Sequence, residues 1–403
     1  MGQSHGCGLS SWQLCAMLKD NGQRWRLYTA IVEGDCVAVE QSASMSPKLV
    51  TKALFFHSRL TPLHVAAMAG QVDVAALLIH KGASVNCSSC NGGQTPLMLA
   101  SKSGKHDCVD YLLQHGANVL LFDTSHSRTC LHYAAKAGHV ECIHRILLAA
   151  KCAPVAESWK FVRFVNTRDS KGITALHLAA RGGYVRALQL LLDSGALVSA
   201  TTSNTGNGSG HGSTPLHFAA RGGSLETVQE LLAWGADRSQ RDVTGYTAYG
   251  IARKHNNASC TALLDPSVAE PLVWPSPCKF MNALDTNTRS LLEKVLEQAN
   301  QARGRAPRKS AAESEIVNAI MTDDDQQLEQ DKKASTDSCC CICFEHRCNI
   351  ELHKCGHQMC ASCILTLCCH NKPNPAMPFS PPPACPFCRT PIERITLVSQ
   401  VAY

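Results

Sequence analysis

Twelve of the chain's 23 cysteines fall between Cys339 and Arg389. They read in pairs: Cys340-x2-Cys343, Cys355-x-His357, Cys360-x2-Cys363 and Cys385-Pro386-Phe387-Cys388. Four pairs supply eight sulfur or imidazole donors, the number that two tetrahedral zinc ions take when each site is closed and structural. Gaps of one or two residues let a single tight turn offer both donors of a pair to one metal. The full order, C-C-C-H-C-C-C-C with gaps of 2, 11, 1, 2, 2, 21 and 2 residues, is far more specific than a lone CxxC. In the run Cys339-Cys340-Cys341 only Cys340 gives the two-residue gap to Cys343. Cys348, Cys368, Cys369 and His370 lie outside the pattern and read as spare thiols and an ordinary imidazole.

The rest of the chain must position this stretch and bring something to it. At 403 residues there is room for two or three domains. A hydrophobic content of 45% suits globular burial, and a net charge of +6 does not by itself argue for nucleic acid. The start lacks a basic segment followed by an unbroken apolar core, so no signal peptide is expected. No apolar run reaches the ~18 residues of a spanning helix. The cysteines therefore point to a reducing compartment rather than a secreted disulfide framework. Met1-Gly2-Gln3-Ser4-His5 begins like a myristoylation site, although Gly6 stands where the pattern wants Ser or Thr. Gly2 and Cys7 are the candidate acylation positions, and stable anchoring needs both. The expectation is a cytoplasmic protein, peripheral at the plasma membrane if acylated, with the nucleus left open.

A tetrapeptide recurs at Thr61-Pro-Leu-His64, Thr95-Pro-Leu-Met98, Thr129-Cys-Leu-His132, Thr174-Ala-Leu-His177, Thr214-Pro-Leu-His217 and Thr247-Ala-Tyr-Gly250. Its spacings are 34, 34, 45, 40 and 33 residues. Thr can cap a helix, and Pro fits the first helical position. Nine residues after each Thr come Gly70, Gly104, Gly138, Gly183, Gly223 and finally Asn256, residues able to take positive φ between two helices. Alanine pairs such as Ala66-Ala67 keep the first helix thin, and pairs such as Leu78-Ile79 give the second its buried stripe. The pattern resembles ankyrin repeats over residues 25–266, strongest at 59–88, 93–122, 127–156, 172–201 and 212–241. Leu27-Tyr28-Thr29-Ala30 with Gly34 is a degenerate first unit. It and the last unit are read as caps of a solenoid in which each unit buries its stripe only against a neighbour.

Two units carry insertions. One, near Lys151 to Asp169, holds Trp159, Phe161 and Phe164 and is expected to pack back on the stack. The other, Thr201 to Ser213, is rich in Gly, Ser and Asn and reads as a loop. The recurrent histidines are expected to be structural, and Cys87-x2-Cys90 to be ordinary thiols.

Residues 267–303 combine a Pro/Trp segment around Trp274 with an amphipathic helix. Asp285 and Thr286 are its candidate caps, and Leu291, Leu292, Val295, Leu296 and Ala299 share one face. The default expectation is that this face docks on the end of the solenoid. Residues 304–338 are polar and read as a linker. The metal stretch occupies 339–390, residues 391–403 form a tail, and residues 1–24 precede the repeats. The fold class is mostly α, an ankyrin-repeat solenoid followed by a small C-terminal two-zinc module.

With the ligand order C3HC4, the stretch resembles a RING finger. That resemblance implies a cross-brace, with Cys340, Cys343, Cys360 and Cys363 on one zinc and Cys355, His357, Cys385 and Cys388 on the other. It implies ubiquitin ligase activity through a ubiquitin-charged conjugating enzyme (E2), with Ile342, Leu367 and Pro386 at the E2-contact positions. Arg389, just after the last ligand, takes the place of the cation that bridges E2 and ubiquitin. No cysteine of the chain is expected to carry ubiquitin. The module lacks a basic recognition helix, so no nucleic-acid partner is expected.

The order of modules, with Glu270-Pro-Leu-Val-Trp-Pro-Ser-Pro277 and Cys369-His370-Asn-Lys-Pro-Asn-Pro375, is similar to the plant ankyrin-repeat RING-type ubiquitin ligases related to an immune-receptor-kinase-binding ligase. The function this implies is an E3 whose repeats bind a protein substrate and whose RING binds the charged E2, with the polar linker letting the RING reach different lysines. The alternative is a non-catalytic ankyrin–zinc scaffold in signalling.

Overall fold

The computed structural model describes residues 22–45, 47–51, 54, 60–89, 92–152, 158–202, 212–268, 272, 284–305, 340–344, 346–370 and 383–398. Gly2, Cys7, Cys90, Trp274, Cys339, the proline-rich loop 371–382 and residues 306–338 lie outside them. The chain divides into two compact units, residues 1–196 with 201–211 and residues 197–200 with 212–403. No helix among the described residues is long and apolar enough to cross a membrane.

In the first unit, antiparallel helix pairs follow the repeat frame. They are Gly22–Glu33 with Cys36–Met45, Pro62–Ala69 with Val72–His80, Pro96–Lys102 with His106–Gln114, Cys130–Ala137 with Val140–Cys152, and Ala175–Gly182 with Val185–Asp193. The tetrapeptide opens the first helix of each full repeat, because Thr holds extended backbone just before it, with φ −77° and ψ 164° at Thr61. The helices are too short to persist alone in water. Their inward positions, such as Leu63, Leu97, Leu131 and Leu176, are fully buried between neighbours. At Gly138 the chain reverses with φ +77°, and an added Cβ would lie 2.5 Å from the Tyr184 ring. Asn256 makes the equivalent turn in the last repeat at φ +58°, a conformation Asn tolerates better than most residues.

The recurrent histidines form a latch. His64 Nδ1 sits 2.8 Å from the Thr61 hydroxyl and accepts from the Thr61 N–H at 3.3 Å, while Nε2–H donates to the Gln94 carbonyl of the next repeat at 2.9 Å. His132 reaches the Ile173 carbonyl and His217 the Tyr246 carbonyl, both at 3.2 Å. A carbonyl can only accept, so Nε2 carries a proton, while Nδ1, which accepts the Thr61 N–H, carries none; the latch therefore requires neutral imidazole. Met98 replaces the histidine in the second tetrapeptide, and there the Thr95 N–H points at its sulfur at 3.4 Å.

Burial lowers the pKa of His64, His132 and His217, that of His132 to about 4. Unfolded, each would titrate near 6.5 and bind a proton that the folded form excludes. The stability these latches contribute is complete above about pH 6.5 and is lost as pH falls below it; for His132 the loss runs to about pH 4 and is on the order of 3 kcal/mol. Thermal melts of the full chain are therefore expected to drop steeply between pH 6.5 and 4. The slope should be shallower in His132→Gln, and equal slopes in the two proteins would contradict the neutral latch.

Asp123, Asp169 and Asp242 stand five or six residues before a cap threonine and organise the turns between repeats. Burial opposes ionisation of Asp123, but the Tyr133 hydroxyl and the N–H groups of Arg128 and His126 hold it below the usual carboxylate range. Asp169 is buried and accepts from Arg128 Nε at 3.0 Å, an inter-repeat ion pair that the tetrapeptide pattern did not reveal. The aromatic insertion packs as expected: it forms the helix Ser158–Val165, and Phe161, Phe164 and Val165 are buried. The Trp159 side chain and residues 203–211 of the second insertion lie outside the described set.

The second unit holds two further helix pairs, Pro215–Gly222 with Leu225–Ala233 and Ala248–Lys254 with Ala258–Leu264. After them come the helix Thr286–Arg305 and a small module of three strands and one helix. The strands β1 (Ile350–Leu352), β2 (Gln358–Met359) and β3 (Ile395–Leu397) form an antiparallel sheet in the order β2-β1-β3, with Ile350 opposite Met359 and Leu352 opposite Ile395. The central helix Ala361–His370 packs on this sheet through Ile364 and Cys368.

The helix Thr286–Arg305 corrects one expectation. It is capped by Asp285, which accepts from the Thr288 N–H at 2.8 Å and the Thr288 hydroxyl at 2.7 Å. Its apolar face lies on the metal-binding module and not on the end of the repeats. Leu292 is fully buried in that module's core, and Leu291, Val295, Leu296 and Ala299 pack beside it. An amphipathic stripe shows that a face is buried but carries no information on the partner. The helix also runs to Arg305, two residues into the stretch read as linker.

Candidate metal centres and their surface

Two sets of four donors come together. Cys340, Cys343, Cys360 and Cys363 place their ligand atoms within 4.8 Å of one another, and so do Cys355, His357, Cys385 and Cys388. The sets interleave along the chain: the first and third pairs meet, and the second and fourth. Sheet and helix enforce this. β1 follows the first pair, the β1–β2 turn carries the second, the central helix carries Cys363, and the chain returns through the fourth pair into β3.

The first and last two-cysteine knuckles close the same way. Phe344 N–H donates to the Cys340 carbonyl at 2.9 Å, and Arg389 N–H to the Cys385 carbonyl at 2.8 Å. Closing so tight a turn puts the residue after the second cysteine in the left-handed region, φ +58° at Phe344 and +61° at Arg389. For residues with a Cβ this costs roughly 1–2 kcal/mol each. The second pair's turn uses Gly356 instead, at φ +67°.

The donors fit zinc. Cys340 Sγ lies 3.7 Å from Cys363 Sγ, and Cys343 Sγ lies 3.7 Å from Cys360 Sγ. A tetrahedron with metal–sulfur bonds of ~2.3 Å has edges of about 3.8 Å. His357 Nδ1 is buried without a hydrogen-bond partner among the described residues, a costly state that a metal bond would relieve. Burial pushes the Cys360 thiol up to about 11 and raises Cys363 further, with the Cys343 and Cys340 sulfurs adding to the effect. A cation between the sulfurs reverses that balance. Cys388 differs: it is exposed, and the Thr390 hydroxyl 3.1 Å away and the Thr390 backbone pull it down to about 6. With four protein donors each, both sites are closed, so a bound ion would supply structure and no reactive water.

The residues expected to do the work surround these sites. Ile342 is 41% exposed between Cys341 and Cys343, and Pro386 and Arg389 are exposed on the last knuckle. Leu367 is half-buried on the central helix. Sequence reasoning passed over Phe387, which is 43% exposed and stacks on His357 at 5.1 Å between ring centroids. Its position in the knuckle matches that of Ile342, which is the signal that could have found it. Cys348 packs on the module core, Cys368 belongs to it, and Cys369 is buried against Leu272 and Leu365. They are packing residues outside both donor sets. The His370 side chain lies outside the described set.

Comparison with known proteins agrees with this architecture. Residues 339–394 match a family described as the E3 ubiquitin-protein ligase XB3/XBAT31 RING finger. Residues 27–123 and 119–202 match a family of ankyrin repeats in three copies, and residues 211–243 a single ankyrin repeat. The chain is similar to a rice protein named E3 ubiquitin-protein ligase XB3, 46% identical over 376 residues that cover 93% of this chain and 82% of that protein. It is 45% identical over 393 residues to an Arabidopsis thaliana protein named putative E3 ubiquitin-protein ligase XBAT31, covering 97% and 81% respectively. A further rice protein, named probable E3 ubiquitin-protein ligase XBOS31, is 46% identical over 375 residues, covering 93% and 81%.

Proposed function

The chain belongs to the plant ankyrin-repeat RING-finger ubiquitin ligases, and on that footing we infer that it works as a RING-type E3 that brings a protein substrate and a ubiquitin-charged E2 together. The observation that carries the reading is the pairing of two interleaved closed donor sets with an exposed rim of Ile342, Pro386, Phe387 and Arg389. Such a site binds and orients another protein and has no reactive group of its own. The ankyrin repeats supply the substrate surface.

In this proposal Cys340, Cys343, Cys360 and Cys363 hold one zinc, and Cys355, His357, Cys385 and Cys388 the second. Ile342, Leu367 and Pro386 contact the E2, with Phe387 beside them. Arg389 reaches from its left-handed turn toward the E2–ubiquitin junction, and its planar guanidinium suits several directed hydrogen bonds at once. The substrate lysine amine attacks the thioester carbonyl. An isopeptide bond forms, the carbon–sulfur bond breaks, and the E2 cysteine leaves with the electron pair, the proton lost by the amine balancing the thiolate released. No atom of this chain is exchanged. The rate gain comes from holding the thioester in a reactive pose.

The test is autoubiquitination by the full chain with several E2 enzymes. Wild type is expected to build chains and Cys340→Ala none. Equal signals from the two would leave the scaffold reading in place. We further propose acylation at Gly2 and Cys7 as the route to a membrane, supported by the sequence pattern. Mass spectrometry of the N-terminal peptide from plant-expressed protein checks it, and an unmodified peptide would count against it.

A further inference from the structure

We propose that Leu272 and the helix Thr286–Arg305 form a built-in clamp that positions the central RING helix, so that the E2-binding module of this chain begins at residue 272, well before the first zinc ligand. The inference rests on the E3 reading above. The family match to the RING begins at residue 339, yet the core it encloses is incomplete on its own. Leu292 is fully buried among Ile350, Met359, Ile364, Cys368 and Ile395. A second cluster joins Leu272 to Leu365 and Cys369, with Val295, Leu296 and Ala299 packed against it.

The clamp is locked by polar contacts as well as by apolar ones. The Asn300 side chain takes both backbone groups of Leu272: the Leu272 N–H donates to Asn300 Oδ1 at 2.7 Å, and Asn300 Nδ2 donates to the Leu272 carbonyl at 2.9 Å. One amide thereby reproduces the pairing of a strand neighbour. At the other end Asp285 fixes the first turn through buried Thr288.

Helical geometry shows what the clamp does. At 3.6 residues per turn, Leu365 and Cys369 lie about 160–200° around the central helix from Leu367. Ile364 and Cys368 lie between, facing the sheet. The clamp therefore backs the side opposite the proposed E2 contact and leaves that contact open. A helix of ten residues is marginal alone. Without the clamp it would be held on the sheet side only, and would expose Leu365 and Cys369. With it, the helix is fixed against rolling, and Leu367 is presented at one height and angle. Leu292, Leu296 and Asn300 are thus positioning residues acting through Leu367.

The experiment uses the full chain with Leu296→Asp and Asn300→Ala, which open the outer cluster and spare the core, and Leu296→Met as the conservative control. Three quantities are read: zinc per chain, alkylation of Cys369 by peptide mapping after N-ethylmaleimide, and ubiquitin discharge as a function of E2 concentration. Both disruptive variants are expected to keep two zincs and to expose Cys369. The E2 concentration for half-maximal discharge should rise about tenfold, with the rate at saturating E2 nearly unchanged. Leu296→Met should behave as wild type. Exposed Cys369 with unchanged half-saturation would overturn the positioning role, as would zinc loss in Asn300→Ala, which would make the contact part of the module's stability alone. Persistent protection of Cys369 would overturn the clamp itself. A wild type inactive with every E2 would instead sink the E3 reading, because Cys369 labelling is measured independently of activity.

Discussion

Cys385→Ala is expected to remove close to two zincs per chain rather than one, and with them all ubiquitin transfer. Cys385 is a donor of the second set only. Loss of one ligand from an independent site would leave the other ion in place. Here the sets interleave, so the chain between Cys343 and Cys360 must be ordered for the first set to assemble, and that segment carries Cys355 and His357. The Cys385 carbonyl also accepts the Arg389 N–H, and Cys385 N–H donates to the Thr390 carbonyl at 2.9 Å. Losing the ion therefore releases the last knuckle and the start of the return to β3. Each structural zinc contributes on the order of 10 kcal/mol of apparent folding free energy near neutral pH, more than so small a core can replace. Zinc released to a chromophoric chelator by the purified variant, compared with wild type, reads the number directly. Retention of one tightly held zinc would mean the two sites fold independently.

The second large effect concerns a residue that holds no metal. Arg389→Ala is expected to slow discharge of ubiquitin from charged E2 by about 10–100-fold while zinc content and E2 affinity stay within a factor of two. Arg389→Gly sharpens the test. The position has φ +61°, where glycine is unstrained and should stabilise the knuckle by roughly 1 kcal/mol. If the residue acted through the turn, Gly would rescue what Ala loses. If the guanidinium acts, Gly is as slow as Ala in a more stable module. Single-turnover discharge to free lysine at saturating E2 separates the two, and a fast Arg389→Gly variant would end the bridging role.

The repeats were legible because their physics is local and periodic. Thr before the helix, a small pair inside it and Gly or Asn nine residues on are each demanded within one unit, and the structure places helix pairs on that frame. The latch was half legible. A histidine four positions into a repeat reads as structural, but its reach to the next repeat's carbonyl depends on stacking distance, which no single unit encodes. The eight candidate donors were legible from spacing, since a knuckle tolerates few gap lengths, and the structure gathers them in two sets of four; their division between the sets came from the RING resemblance. The clamp was not. Leu291, Leu292, Val295, Leu296 and Ala299 announced a buried face, while Cys368 and Cys369 looked surplus beside seven cysteine ligands. Both facts describe one contact, and only the folded chain joins its two sides. Phe387 was missed because it lies between ligands, where attention goes to sulfur.

The Asn300–Leu272 lock also fixes a length. On the repeat side, Arg238 Nη2 donates to the Val268 carbonyl at 3.2 Å, tying Val268 to the repeat at 212–241. Between that anchor and Leu272 run residues 269–271. Four Cα steps span at most about 14 Å. The polar run 306–338, expected to be the spacer, starts and ends on the RING's own module and adds no distance between the repeats and the E2. Only three residues separate the two anchors. The expected consequence is that acceptor lysines held near the end of the repeats are modified in preference to distant ones. Shortening the polar run should leave the pattern of modified lysines unchanged, and a flexible insertion after Val268 should widen it.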